Sequence, residues 1–290
     1  MLRAVILAAA IVVGLTPAAL SQTGERQSNP SSSIAPRVVP PYAPTQPWRG
    51  RFLADGQPEI TRGIWGAVEP ATRYIDRPPA GITMASRVVD PPDGLIPYQP
   101  WAREIKKTQD QDLENPKLPH HIDPQGRCLN IVPRLMHYLT PYEVHQIPGF
   151  VVFQFELEHI SRVIPLDGRP HIGSAIKLWM GDARGRWDGN TLLVETANLN
   201  GKGRLSSSGD FYSSNARLRE RMTYLDPSSM IYEATIEDPT VFTRPWTMRV
   251  AHRVRPAGAD LENEIIEYMC YEGEETAGVP SQNPTTRPER

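Results

Sequence analysis

The chain has 290 residues, with 31 Lys+Arg against 33 Asp+Glu and a net charge of −2. That balance, with no block of like charge, excludes a protein built to hold nucleic acid, whose phosphates demand a basic face. The two cysteines, Cys128 and Cys270, lack the short C-x-x-C spacing that redox catalysis needs.

Residues 1–21 read as a secretory signal. Arg3 gives the positive start, Ala4 to Leu20 is small and apolar, and Ala19-Leu20-Ser21 offers a cleavage site before Gln22. The competing reading is a membrane anchor, for which the run is slightly short. Removing these residues removes Arg3 and leaves a net charge of −3, with no second long apolar run. A periplasmic or secreted chain without an integral membrane segment is therefore expected. In an oxidising compartment Cys128 and Cys270 are expected to pair, with two buried thiols as the alternative.

Proline divides the rest. Of 30 prolines, 21 precede residue 150 and 9 follow it. Proline removes a ladder donor and fixes φ, so the first half cannot be mostly sheet or long helix. Residues 22–48 read as a disordered linker, and 49–149 as a Pro-rich arm with short helices packed on a core. Pro100 is expected to open a helix, with Trp101, Ala102 and Ile105 on one face, fading near Asn115-Pro116. Thr140-Pro141-Tyr142-Glu143 has the form of a capping box and predicts a single helical turn.

From Phe150 the pattern has a period of two. Strands are expected from Phe150, from about Ile160 to Leu166, over Ile176 to Trp187, and back from an Asp188-Gly189 hairpin over Thr191 to Ala197. Further strands start near Leu218, Met230, Trp246 and Glu264. The expected class is mainly β: an antiparallel meander of about eight strands over residues 150–274, forming a lipocalin-like barrel or a sandwich. Residues 275–290 read as a disordered tail.

The densest cluster of unusual side chains is Ile164 to Thr196. Arg169 and His171 follow a turn at Asp167-Gly168. Arg169 suits bidentate recognition of an anionic group, and His171 a proton acceptor, if both face a barrel mouth. The plainer reading has Asp167 capping the turn and Arg169 pairing with a carboxylate. Gly181 suggests a bulge or close approach that would aim Asp182 at His171, or leave it on Arg184 or Arg186. Trp179 is a candidate lining residue. Glu220 and His252 fall in phase with apolar neighbours, so both are candidates for buried, paired groups at a ligand. The competing partners for Glu220 are Arg219 and Arg221. His120, His121 and Asp123 have the composition of metal ligands but not the spacing, so no metal is expected. No nucleophile elbow, Walker loop or dinucleotide fingerprint is present, and no cofactor is expected. Ser206-Ser207-Ser208 reads as a mobile loop.

The segments PDGLIPY, RCL, IPLDGRPH, WMGDARGRWDGNTLLVET, YEATIEDPTVFTRPWT and EYMC together resemble a widespread family of exported bacterial proteins of no known activity. The likeness runs from about Pro92 to Glu272. It departs at Ala183, where the family usually has Ser, and at Asn190, where it usually has Asp. The resemblance implies export, a β-rich fold, and Cys128 and Cys270 as the family's two cysteines. Three functions stay open on sequence. One is a binder of a small, partly apolar ligand at a barrel mouth, lined by Arg169, His171, Trp179 and Asp182. The second is a cofactor-independent hydrolase, lyase or isomerase, with His171 or Asp182 as base and Arg169 as anion holder. The third is a structural envelope protein. Oligomeric state is not decided.

Overall fold

The computed structural model describes residues 42–43, 47–60, 62–255 and 264–268. The expected signal, most of the expected linker, Cys270 and the expected tail lie outside the described residues.

Alternation of apolar and polar side chains builds a long antiparallel sheet. Its strands are β1 (Trp65–Ala67), β2 (Val88–Asp90), β3 (Tyr142–Ile147), β4 (Phe150–Phe155), β5 (Ser161–Pro165), β6 (Asp182–Asp188), β7 (Thr191–Ala197), β8 (Arg217–Asp226), β9 (Ser229–Glu237) and β10 (Trp246–Val254). The hydrogen-bonded order is β5-β4-β3-β1-β10-β9-β8-β7-β6, and β2 also pairs with β10. Two meanders, β3–β5 and β6–β10, are thus joined sideways through β1. The sheet curls until β5 and β6 face each other, and the barrel is nearly closed.

The inner face carries the core. Val151, Phe153 and Phe155 on β4, Met222 and Tyr224 on β8, Tyr232 on β9 and Trp246 on β10 are all buried. Each such side chain contributes about 1.5–3 kcal/mol by leaving water. Gly185 sits where β6 meets β5: a Cβ there would lie 2.6 Å from Ile164 Cγ2 and 3.0 Å from Leu166 Cδ2. Absence of that atom is what lets the two end strands approach.

Two helices flank the sheet, α1 (Pro100–Glu114) and α2 (Arg134–His137). Pro100 does sit in the first turn of α1 and Asn115 ends it. Only Ala102 of its expected apolar face is buried; Trp101 and Ile105 are exposed. Among the described residues no helix is long and apolar enough to cross a membrane.

Several expectations are corrected. The turn expected after Thr140-Pro141 is strand β3. Tyr142 and Val144 point inward opposite Phe155 and Phe153, and the Thr140 hydroxyl accepts from the Leu157 amide instead of capping a helix. Burial of a period-two pair outweighs a local capping signal. The strand expected over Ile176 to Trp187 begins only at Asp182; residues 173–178 are exposed. In the hairpin Asp188 pairs with Thr191, so the loop residues are Gly189 and Asn190, with Gly189 at φ 59°. Residues 264–268 are not a strand. The arm does more than wrap the sheet, since it supplies β1, β2 and β3.

Candidate functional site

Asp182 is the first residue of β6. Ala183 and Gly185 point into the barrel and are buried, so Asp182 and Arg184 lie on the outer wall. Gly181, at φ +67°, sets this start. A Cβ on it would lie 2.7 Å from the Ala197 carbonyl oxygen and 2.6 Å from Thr196 Cγ2. The chain therefore packs tightly on β7 and delivers Asp182 beneath the incoming segment.

There Asp182 meets His171. His171 Nδ1 lies 2.8 Å from Asp182 Oδ2, which also accepts from the Ile172 amide at 3.0 Å. Arg184 Nη1 donates to Oδ1 at 2.6 Å. Burial alone would raise the Asp182 pKa; the bonds from His171, Ile172 and Arg184 outweigh it and hold the carboxyl below its ordinary value. An ionised carboxylate can only accept, so Nδ1 carries the proton and a neutral His171 keeps Nε2 as its basic atom. A depression of only about 20 Å³ adjoins His171, lined by Glu195, Thr196 and Arg219 among others. It is large enough for about one water molecule.

Sequence reasoning placed four residues at this point, and the structure brings two together. Arg169 is turned away: its guanidinium binds Asp167, with Nε donating at 2.6 Å, and this holds the Asp167 carboxyl at about 2. Only the Arg169 carbonyl reaches the site, accepting from Arg184 Nε at 3.1 Å. Trp179 is half-buried against the core.

Glu220 and His252 lie inside the barrel, as their phase implied. The partner of Glu220 is neither Arg219 nor Arg221, which both point outward. It is Arg162 from β5, with Nη1 donating to Oε1 at 2.8 Å and Nη2 to Oε2. The Tyr232 hydroxyl donates to Oε1 at 2.7 Å and the Thr196 hydroxyl to Oε2 at 3.2 Å. This carboxylate is fully engaged and cannot meet a ligand. His252 Nδ1 and the Tyr142 hydroxyl share a bond of 2.8 Å. Burial, opposed by a bond to the Met136 backbone, pushes His252 down to about 3. It is a neutral core residue.

Large side chains fill the barrel, and the larger space lies at its rim. A cleft of about 760 Å³ opens between residues 49–63 and β3, lined by Arg49, Arg51, Leu53, Glu59, Arg62, His145 and Ile147 among others. Arg51 pairs with Glu59 at 2.8 Å and His145 with Glu143 at 3.1 Å. Arg49 and Arg62 make no ion pair among the described residues. None of the candidate site residues read from the sequence lines this cleft. No motif marks it, because its two walls come from distant, unrelated stretches.

A second cluster went unrecognised. Ser206 and Ser208, expected in a mobile loop, are buried. Both hydroxyls bind Asp210 Oδ2, and the Tyr98 hydroxyl donates to Oδ1 at 2.9 Å. Nearby Asp76 is pushed up to about 6, chiefly by burial and then by the charge of Asp210. These residues tie the arm to the β7–β8 connection.

The chain matches no family model, no curated protein and no solved structure. The geometry of the sites must therefore carry the functional reading.

Proposed function

We propose that this is an exported protein that binds a small, partly apolar ligand with an acidic group in the rim cleft between residues 49–63 and β3. The observation that carries the reading is the cleft itself. Its volume suits a small molecule, Leu53 and Ile147 give it apolar surface, and Arg49 and Arg62, without an ion pair among the described residues, bring guanidinium groups to its edge. A filled barrel interior argues against a ligand held deep inside. The signal-like residues 1–21 and the resemblance to exported bacterial proteins support export, which in turn favours a Cys128–Cys270 disulfide. The test is thermal unfolding of the mature chain against a panel of amphipathic acids, repeated with Arg62→Gln and Ile147→Glu. Both positions are exposed, so the fold tolerates the changes. A ligand whose stabilisation survives both substitutions would refute binding in this cleft.

A second reading is favoured by the His171–Asp182 pair. An orienting carboxylate with a basic Nε2 at the surface is the arrangement a general base requires. Under this reading the chain is a cofactor-independent hydrolase, lyase or isomerase. Arg169 is not the anion holder, and Arg184 is already committed to Asp182. A chromogenic substrate panel tests it: any turnover must fall at least about a hundredfold in His171→Ala, and turnover left intact would sink it.

A further inference from the structure

A second charge cluster lies away from both sites, where residues 119–128 meet α2 and the start of the β7–β8 connection. Arg134 on α2 is buried and spends its guanidinium on Asp123, Nη1 to Oδ1 at 2.8 Å and Nη2 to Oδ2 at 2.7 Å. That pair is neutral. Arg204 is only 7 % exposed, yet no carboxylate lies within ion-pair distance of it among the described residues. Its Nη1 and Nη2 donate to the carbonyls of His121 at 3.3 Å and His120 at 3.1 Å. Arg127 is half-buried, and its Nε has no hydrogen-bond partner among the described residues. Asp112 faces His121 Nε2 at 3.7 Å.

Buried charge must be paired. Among the described residues Asp123 is the only carboxylate that bonds any of these three guanidinium groups, and it is spent on Arg134. Burial lowers the pKa of Arg204, Asp123 and Asp112 oppose this, and the charges of Arg134 and Arg127 lower it further. Carbonyl dipoles stabilise Arg204 but cannot neutralise it. Arg127 is only half-buried, so part of it meets solvent.

We propose that Arg127 and Arg204 form a binding site for a small oxyanion of the phosphate or sulfate class, held by guanidinium donors against the wall of residues 120–128. Planar guanidinium forks match tetrahedral oxyanions, and such an ion would supply the charge the cluster lacks.

The experiment is thermal unfolding of the mature chain in inorganic phosphate, with chloride replaced at constant ionic strength. The expected result is a saturating rise in the midpoint of about 2–4 °C. Arg127→Gln removes none of the hydrogen bonds described above, so it folds, and it abolishes the saturating rise. Arg204→Lys keeps the charge but loses the fork and weakens phosphate at least about tenfold. Arg62→Gln, in the rim cleft, leaves the response unchanged, which separates this site from that one. A rise that does not saturate and persists in Arg127→Gln is general salting-out and overturns the proposal, as does no rise in the unsubstituted chain. A response lost in Arg62→Gln and kept in Arg127→Gln also overturns it.

Discussion

Arg162 on β5 crosses the barrel interior to grip Glu220 on β8, with Nη1 and Oε1 2.8 Å apart and both side chains buried. Removing one partner strands the other charge in a medium that cannot solvate it. Arg162→Met is expected to cost about 3–5 kcal/mol in urea unfolding. The double substitution Arg162→Met with Glu220→Leu is expected to recover much of that loss. If the single and double variants were equally unstable, the pair would not be the reason for the loss.

Acid is expected to destabilise the fold below about pH 6.5. Burial holds His137 at about 4 and His252 at about 3, so the unfolded chain binds protons there that the folded chain refuses. Stability is complete above the unfolded value of about 6.5 and falls as pH drops toward the folded values. Each histidine contributes about 1.4 kcal/mol per pH unit in that window. Asp76, raised to about 6, acts with the opposite sign: the folded chain takes up its proton first, which offsets one histidine between pH 6 and its unfolded value near 4. Asp76→Asn should therefore steepen the acid loss, and urea titrations at pH 7, 5.5 and 4.5 would measure it. An unchanged slope would contradict this account.

Gly181→Ala should cost more than Gly185→Ala. At Gly181 the added methyl meets a main-chain oxygen at 2.7 Å, in a left-handed conformation, and neither can move aside. At Gly185 it meets the methyl groups of Ile164 and Leu166, an overpacking that costs about 1–3 kcal/mol. Thermal unfolding of the two variants gives the order directly; Gly185→Ala as the worse of the two would reverse it.

If the chain is exported as proposed, the mature protein is expected to show no reaction with a maleimide until it is reduced, as a Cys128–Cys270 bond requires. Cys128→Ser should then lower stability by about 2–5 kcal/mol. Prompt labelling of the native, unreduced protein would show two thiols instead.

Much of the fold was legible where burial repeats every second residue, as in β4 and β8 through β10. Strand β3 was hidden because Thr140-Pro141-Tyr142-Glu143 imitates a helix start, and local signals cannot show that Tyr142 will be buried. Strands β1 and β2, three residues each, are too short to display a period. The His171–Asp182 pair was legible because Gly181 announced a close approach. For Arg169 the plainer reading is the one observed: Asp167 caps the turn and takes the guanidinium, while the expected place at a site is not. Arg162 carried no signal at all: its partner is 58 residues away, and only barrel closure brings the two together.

Among the described residues the nearly closed barrel has one seam without a hydrogen-bond ladder, between β5 and β6. The short strand β1 is the lateral link between the two meanders. The molecule is therefore built like a pair of covers on a narrow spine, with Arg162 and Glu220 as the clasp near the open edge. Breathing starts at that edge. Backbone amides along the facing edges of β5 and β6 should exchange with solvent sooner than those of β8 and β9, and releasing the clasp should widen that difference.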